Sequence, residues 1–311
     1  MNTNLYALFA SHFPHDRSAC SIETHDARYY SWSDIERASA MLANLLCSLE
    51  LGVGARIAVQ VEKSPEALIL YLATLRAGYV FLPLNTAYQH TEISYFIQDA
   101  APEVVVCSPH NFGWVSQIAF QAGSKHVFTL DAPAQGNNRG SLLDRASTMS
   151  DQFVTVQSAP DDLAAILYTS GTTGRSKGAM LTHENLSSNA LVLKEAWGWC
   201  EGDVLLHALP LFHVHGLFVA SHGALLNGSK MIFLPKFDAD QVLHYLPQST
   251  VMMGVPTYYV RLLQDERLNQ ARCNSMRLFI SGSAPLLRET FDNFQQRTGH
   301  TILERYGMSE T

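Results

Sequence analysis

A five-residue apolar run, Leu163 to Leu167, leads without a break into Tyr168-Thr169-Ser170-Gly171-Thr172-Thr173-Gly174-Arg175-Ser176-Lys177-Gly178. A run of that length bounded by turn residues reads as a buried strand. The stretch after it is rich in glycine and hydroxyl side chains and carries two cations, Arg175 and Lys177. Glycine lets a backbone turn sharply and bring its N–H groups against an anion. Hydroxyls add donors and the cations add charge, so the composition is that of a loop that holds phosphates. It is not a Walker A loop, which needs Gly, four residues, then Gly-Lys-Ser/Thr. Counted from Gly171, the matching positions hold Ser176, Lys177 and Gly178. A Ser/His hydrolase is a competing reading of the chain; it is set aside because Thr169-Ser170-Gly171 supplies no G-x-S-x-G elbow.

The rest of the chain alternates short apolar runs with amphipathic ones. Ile35, Ala38, Leu42, Leu45 and Leu49 recur at steps of three and four, which places them on one helical face. Ser64-Pro65 reads as an N-cap followed by proline at the first helical position, in a helix that stops at Gly78. Strands are expected near 56–61, 79–82, 104–107, 204–209, 231–234, 251–255, 277–280 and 301–303. Helices are expected near 91–98, 182–197 and 238–246, and from Pro256 and Pro285 onward. This rhythm indicates an α/β fold with a largely parallel sheet. The Gln135 to Gly140 stretch is a loop by composition and marks the best connection between subdomains.

Bulk properties exclude several classes. A net charge of −7 and the lack of a basic run argue against a nucleic-acid partner. No apolar stretch reaches the length of a membrane span, and the N-terminus lacks the regions of a signal peptide. Five scattered cysteines, none in a C-x-x-C pair, read as reduced residues of a cytoplasmic protein. The chain ends at Glu304 to Thr311 with no polar tail or cap, as though inside an element.

In a parallel α/β sheet, ligands sit at the carboxyl ends of strands. Four unusual segments follow expected strands directly. They are the phosphate loop, Phe212 to Gly216, Ser281 to Pro285 and Tyr306 to Thr311. The topology lets one pocket gather all four. His213 and His215 form an H-x-H pair, better read as a pocket wall with a neutral imidazole than as a metal site. Glu310 is a carboxylate able to ligate Mg²⁺. Arg261 sits on the helix opened by Pro256 and is open to a functional or a surface role.

Together these segments resemble the adenylate-forming superfamily of acyl-CoA synthetases, luciferases and nonribosomal adenylation domains. Tyr168 to Gly178 resembles its phosphate loop. Leu209-Pro210-Leu211-Phe212-His213, Ser281-Gly282-Ser283-Ala284-Pro285-Leu286 and Tyr306-Gly307-Met308-Ser309-Glu310-Thr311 resemble three further core motifs in the same order, and Gly78 to Asn85 an earlier one. More narrowly, Phe212 to Ala220, Gly254 to Leu263 and Leu303 to Met308 are similar to bacterial malonyl-CoA synthetases.

The resemblance implies an N-terminal large domain of two α/β subdomains, 1–162 and 163–311, with mostly parallel sheets flanked by helices. It implies ATP-dependent ligation of malonate, with methylmalonate open, to coenzyme A. The reaction runs through an acyl-adenylate and serves fatty acid metabolism. Thr169, Ser170, Gly171, Thr172, Thr173, Gly174 and Lys177 would hold the β- and γ-phosphates, with Thr173 and Lys177 catalytic. Ser283, Ala284 and Pro285 would border the adenine, with Tyr306 stacking near it and Glu304 and Arg305 beside it. Gly307 and Met308 would lie by nucleotide and acyl group, Ser309 by the α-phosphate. Glu310, with Thr169, would ligate Mg²⁺, and His213 would border the acyl pocket and take part in catalysis. Malonate's second carboxylate is costly to bury unpaired, and an arginine answers it with a bidentate fork. That favours Arg261, with Arg305 second. Other small or aryl acids, or a non-catalytic nucleotide- or partner-binding module, are the alternatives, and a homodimer is left open. The resemblance further implies a ribose-binding aspartate, a hinge and a small C-terminal domain bearing a lysine for adenylation. None of these is in the sequence, so the chain reads as an incomplete portion.

Overall fold

The computed structural model describes residues 2–131, 140–169 and 175–310. In chain order the strands are β1 (Cys20–Thr24), β2 (Tyr29–Ser31), β3 (Arg56–Gln60), β4 (Val80–Pro83), β5 (Val104–Cys107), β6 (His126–Thr129) and β7 (Leu163–Thr169), followed by β8 (Lys177–Thr182), β9 (Val204–His207), β10 (Lys230–Phe233), β11 (Val251–Gly254), β12 (Leu278–Ser281) and β13 (Ile302–Glu304). They fall into two compact units. One comprises residues 2–11, 33–188 and Glu310, and the other residues 12–32 and 189–309. No described helix is long and apolar enough to cross a membrane.

The first unit is built on a six-stranded sheet of order β6-β5-β3-β4-β7-β8. Every pair is parallel except β7 with β8. As expected, Ser64 caps the helix Pro65–Arg76, its hydroxyl accepting from the Ala67 N–H at 3.1 Å. That helix is apolar all round, and Leu68, Leu70 and Leu72 are fully buried, so it lies inside the unit. Gly78 then ends it at φ +73°, a turn that only glycine makes cheaply. Helix His90–Ala100 turns Ile93, Phe96, Ile97 and Ala100 onto the sheet. Burying Phe96 contributes about 2–3 kcal/mol on transfer grounds.

One strand beside the phosphate loop was not legible. The segment after the phosphate loop is β8, returning antiparallel to β7 with Tyr168 opposite Gly178 and Thr169 opposite Lys177. Gly178 permits the close approach: a Cβ there would lie 2.9 Å from Ile166 Cγ2 and 3.6 Å from Tyr168 Cζ. Because β7 pairs with β4, this hairpin clusters with the first unit, and the compact units divide elsewhere than at residue 162.

The second unit carries a seven-stranded sheet of order β13-β12-β11-β9-β10-β1-β2, parallel except for β1 with β2. Its core joins Leu206, Ile232, Met252, Tyr259, Phe279 and Phe294. Tyr259 is fully buried, and its hydroxyl is satisfied by the Ile280 carbonyl at 2.5 Å. The amino end of the sheet is stapled by polar contacts. Arg277, just before β12, pairs with buried Asp203, just before β9, at 2.5 Å. Asp203 also accepts from Thr250, just before β11. The hydrogen bonds from Arg277 offset the burial of Asp203 and hold its carboxyl below the ordinary carboxylate range.

Candidate functional site

With the amino ends of β9, β11 and β12 fixed, their carboxyl ends and that of β13 open along one edge of the second sheet. The parallel order β13-β12-β11-β9 sets four segments side by side there. These are residues 208–216 after β9, the helix Pro256–Leu263 after β11, residues 282–287 after β12 and residues 305–309 after β13. Three of the four sequence-expected segments therefore share an edge. The fourth, the phosphate loop, belongs to the first unit.

His215 is the buried anchor of this edge. It opens a π-helical turn, His215–Ser221, whose start is fixed by His207: its Nε2 lies 2.9 Å from the Gly216 carbonyl and 3.0 Å from Ser221 Oγ. Gly216 is required there, since a Cβ would fall 1.9 Å from the Pro210 carbonyl oxygen. His215 Nδ1 and Ser283 Oγ share a hydrogen bond of 3.3 Å, and His215 Nε2 is buried without a partner among the described residues. Burial first, and the nearby Arg305 charge second, push the His215 pKa down to about 4. The imidazole is therefore neutral at pH 7, as expected of a pocket wall. The H-x-H pair diverges: His213 is exposed and set edge-on to Phe212 at 4.7 Å.

Ser283 reaches His215 from a strained backbone, with φ at +68°. Such left-handed non-glycine residues cost on the order of 1 kcal/mol and cluster where a side chain must be aimed. The turn is short because the Leu286 N–H donates to Glu304 Oε1 at 3.0 Å. Leu287 is extended, and the helix expected from Pro285 begins only at Arg288. Glu304 thus has a visible structural task in addition to its expected place near the nucleotide. Ala284 and Pro285 are exposed on the same edge.

Two arginines reach this edge by different routes. Arg305 is half-buried; its backbone N–H donates to the Ser281 carbonyl at 2.8 Å, and its side chain runs past Gly282. Burial lowers its pKa, and it makes no ion pair among the described residues. Arg261 is exposed, with Cζ 4.7 Å from the Phe237 ring centre, and Phe237 in turn stacks on Tyr258 at 4.0 Å. It too has no ion-pair partner among the described residues. Phe237, which sequence reasoning missed, lies after β10 and carries no local signal beyond an apolar residue. Tyr306, Gly307 and Met308 are exposed beyond β13, and Ser309 is half-buried.

In the first unit, Ser170, Gly171, Thr172, Thr173 and Gly174 lie outside the described residues. Their flanks are described. Thr169 ends β7, and Lys177 opens β8 opposite it with its side chain exposed. Glu310 clusters with this unit, its Oε1 accepting from Thr169 Oγ1 at 3.0 Å. The two residues expected to meet Mg²⁺ are therefore neighbours. A carboxylate beside a hydroxyl is a hard-oxygen pair of the kind that suits that ion. Gly174-Arg175-Ser176-Lys177-Gly178 does have G-x-S-x-G spacing. Topology removes the hydrolase reading: a nucleophile elbow turns from strand into helix, whereas Ser176 leads into an antiparallel strand.

Comparison with known proteins agrees on one family. The AMP-binding enzyme family matches residues 8–311. A malonate–CoA ligase from Arabidopsis thaliana is 34% identical over 83% of this chain and 45% of its own length. A mitochondrial malonate–CoA ligase from Mus musculus is 33% identical over 91% of this chain and 51% of its own. The chain thus spans about half the length of these curated relatives. Among solved structures, MatB from Rhodopseudomonas palustris, known in apo and ATP-bound forms, is 51% identical. It covers 100% of this chain and 61% of that one, with a TM-score of 0.95.

Proposed function

This chain belongs to the AMP-binding enzyme family, and on that premise we propose that it is the nucleotide- and acid-binding part of an ATP-dependent malonate–CoA ligase. The observation that carries the choice of acid is the pair of arginines, Arg261 and Arg305, at one sheet edge, neither neutralised by an acid among the described residues. A monocarboxylic fatty acid has no use for a second cation. A dicarboxylate does, because its distal charge is expensive to desolvate unless paired. The names of the two curated ligases and the likeness to MatB support the same reading.

In this account one malonate carboxylate attacks the α-phosphorus of ATP. Pyrophosphate leaves, and the thiol of coenzyme A later displaces AMP. This chain supplies positions and charge. Thr169, Lys177 and residues 170–174 cradle the β- and γ-phosphates, where oriented donors offset charge in the transition state. Glu310 and Thr169 would hold Mg²⁺, which supplies charge neutralisation at the phosphates when bound. Ser283, Ala284, Pro285 and Tyr306 border the adenine, with Glu304 and Gly307 beside it, and Ser309 meets the α-phosphate. His213, Met308 and Ser283 bound the acyl group, and Arg261 takes the distal carboxylate with Arg305 as the second cation. Methylmalonate adds one methyl, a difference worth only about 1–3 kcal/mol in a pocket, so the same site would take it as a second substrate. We read residues 1–311 as part of one AMP-binding domain in a cytoplasmic enzyme.

The test is kinetic. In the full-length protein Arg261→Ala should abolish malonate use while ATP binding stays intact. Unchanged malonate kinetics would remove Arg261 from the acid site.

A further inference from the structure

The two legs of the phosphate-loop hairpin are tied to a single helix that none of the expected site residues occupies. On the entry leg, the Tyr168 hydroxyl donates to Asp99 Oδ2 at 2.5 Å. Its ring packs on Phe96 with centroids 4.4 Å apart and meets Tyr95 edge-on at 6.2 Å. On the exit leg, the Tyr95 hydroxyl donates to the Ser176 carbonyl at 2.7 Å. Arg175 Cζ lies 5.7 Å from the Tyr95 ring centre. Tyr95 and Asp99 are four residues apart on helix His90–Ala100, and hence on one face.

We propose that Tyr95 and Asp99 are positioning residues that hold the β7–β8 hairpin in a fixed place against helix His90–Ala100, and so set the affinity of the phosphate loop it carries for the β- and γ-phosphates of a nucleoside triphosphate. Helix His90–Ala100 is itself anchored by buried Ile93, Phe96, Ile97 and Ala100, so it is a firm support. The exit leg, by contrast, borders an open cavity of about 570 Å³ lined by Thr91, Ser94, Tyr95, Gln98 and Arg175. There the Tyr95 hydroxyl and the Arg175 stack supply contacts that packing does not. Neither residue is near enough in sequence to be part of the loop motif; only the fold brings them to it. A binding loop gains affinity from being held in place before its ligand arrives, so a loosened leg lowers affinity without removing any donor.

The inference rests on the ATP reading, and the test separates the two. Dissociation constants for Mg·ATP and for AMP are measured by calorimetry on the full-length protein and on its Tyr95→Phe, Asp99→Ala and Asp99→Glu forms. The first two variants should bind ATP about fivefold to tenfold more weakly, the scale of one lost hydrogen bond. AMP, which lacks the β- and γ-phosphates, should bind all forms equally, and Asp99→Glu should recover part of the loss. Equal AMP binding also certifies that the variants are folded. ATP affinity that is unchanged, or that falls in step with AMP affinity, overturns the positioning role. A wild-type protein that binds no ATP overturns the nucleotide reading itself, and the positioning role with it.

Discussion

The Arg261 guanidinium carbon stands 4.7 Å from the centre of the Phe237 ring, held over an aromatic face instead of against an acid. Phe237 is in turn fixed by stacking on Tyr258 at 4.0 Å with the rings 19° apart. A cation on an aromatic face keeps its charge and its donors available, at a gain of about 0.5–1 kcal/mol at an exposed site. Phe237→Ala should therefore raise the KM for malonate by about twofold to fivefold without changing that for ATP. Steady-state kinetics with each substrate varied in turn would reveal it. Equal effects on both substrates would mean that Phe237 is only core.

Ser283 gives a test of the strained turn. Its φ of +68° suits glycine, yet its hydroxyl meets His215 Nδ1 at 3.3 Å. Ser283→Gly should be more stable than Ser283→Ala by about 1 kcal/mol, because both lose the hydrogen bond and only alanine keeps the strain. Chemical denaturation of the two variants measures it. Alanine equal to glycine would mean that the backbone is unstrained.

A buried histidine of the first unit sets a pH dependence. His183 Nδ1 accepts the Leu5 N–H at 3.1 Å, and burial pushes its pKa down to about 4. A depressed folded-state pKa favours the neutral form, so this stability is present above about pH 6.5 and is lost as pH falls toward 4. At pH 5 the loss is about 2 kcal/mol for one such group. His183→Asn keeps an acceptor at the Nδ1 position and removes the titration. Denaturation midpoints from pH 7 to pH 5 should fall less steeply in that variant than in the wild type. Parallel slopes would contradict the assignment.

Asp203 is buried at 3% exposure, with Arg277 and Thr250 as partners. Breaking a buried pair by removing one member leaves the other uncompensated. Asp203→Ala should cost about 3 kcal/mol in stability, discounted somewhat because Arg277 is partly exposed. Thermal or urea unfolding gives the number. A cost below about 0.5 kcal/mol would place Asp203 among ordinary surface pairs.

What the sequence made legible was local or periodic. Ser64-Pro65 announced its helix, and β5 and the helix opened by Pro256 lie where alternation and proline put them. The antiparallel return of β8 was hidden because the reason for it is a contact, Gly178 under Ile166 and Tyr168, and glycine alone does not say what approaches it. The hairpin of β1 and β2 was missed for a similar reason: β1 is stabilised by pairing with β10, some two hundred residues away. At the site, the motif residues could be named from the sequence, but their partners could not. His215 with Ser283, Arg261 with Phe237 and Tyr168 with Asp99 are each joined by the fold across tens of residues.

The central claim is that this family member activates malonate. Pyrophosphate release from Mg·ATP by the full-length protein should be followed with malonate, acetate and benzoate supplied separately. The account predicts release that depends on malonate and is at least a hundredfold less efficient with acetate or benzoate, since neither offers a second carboxylate to Arg261 and Arg305. Release driven as well by acetate or benzoate, or no response to malonate, would contradict it.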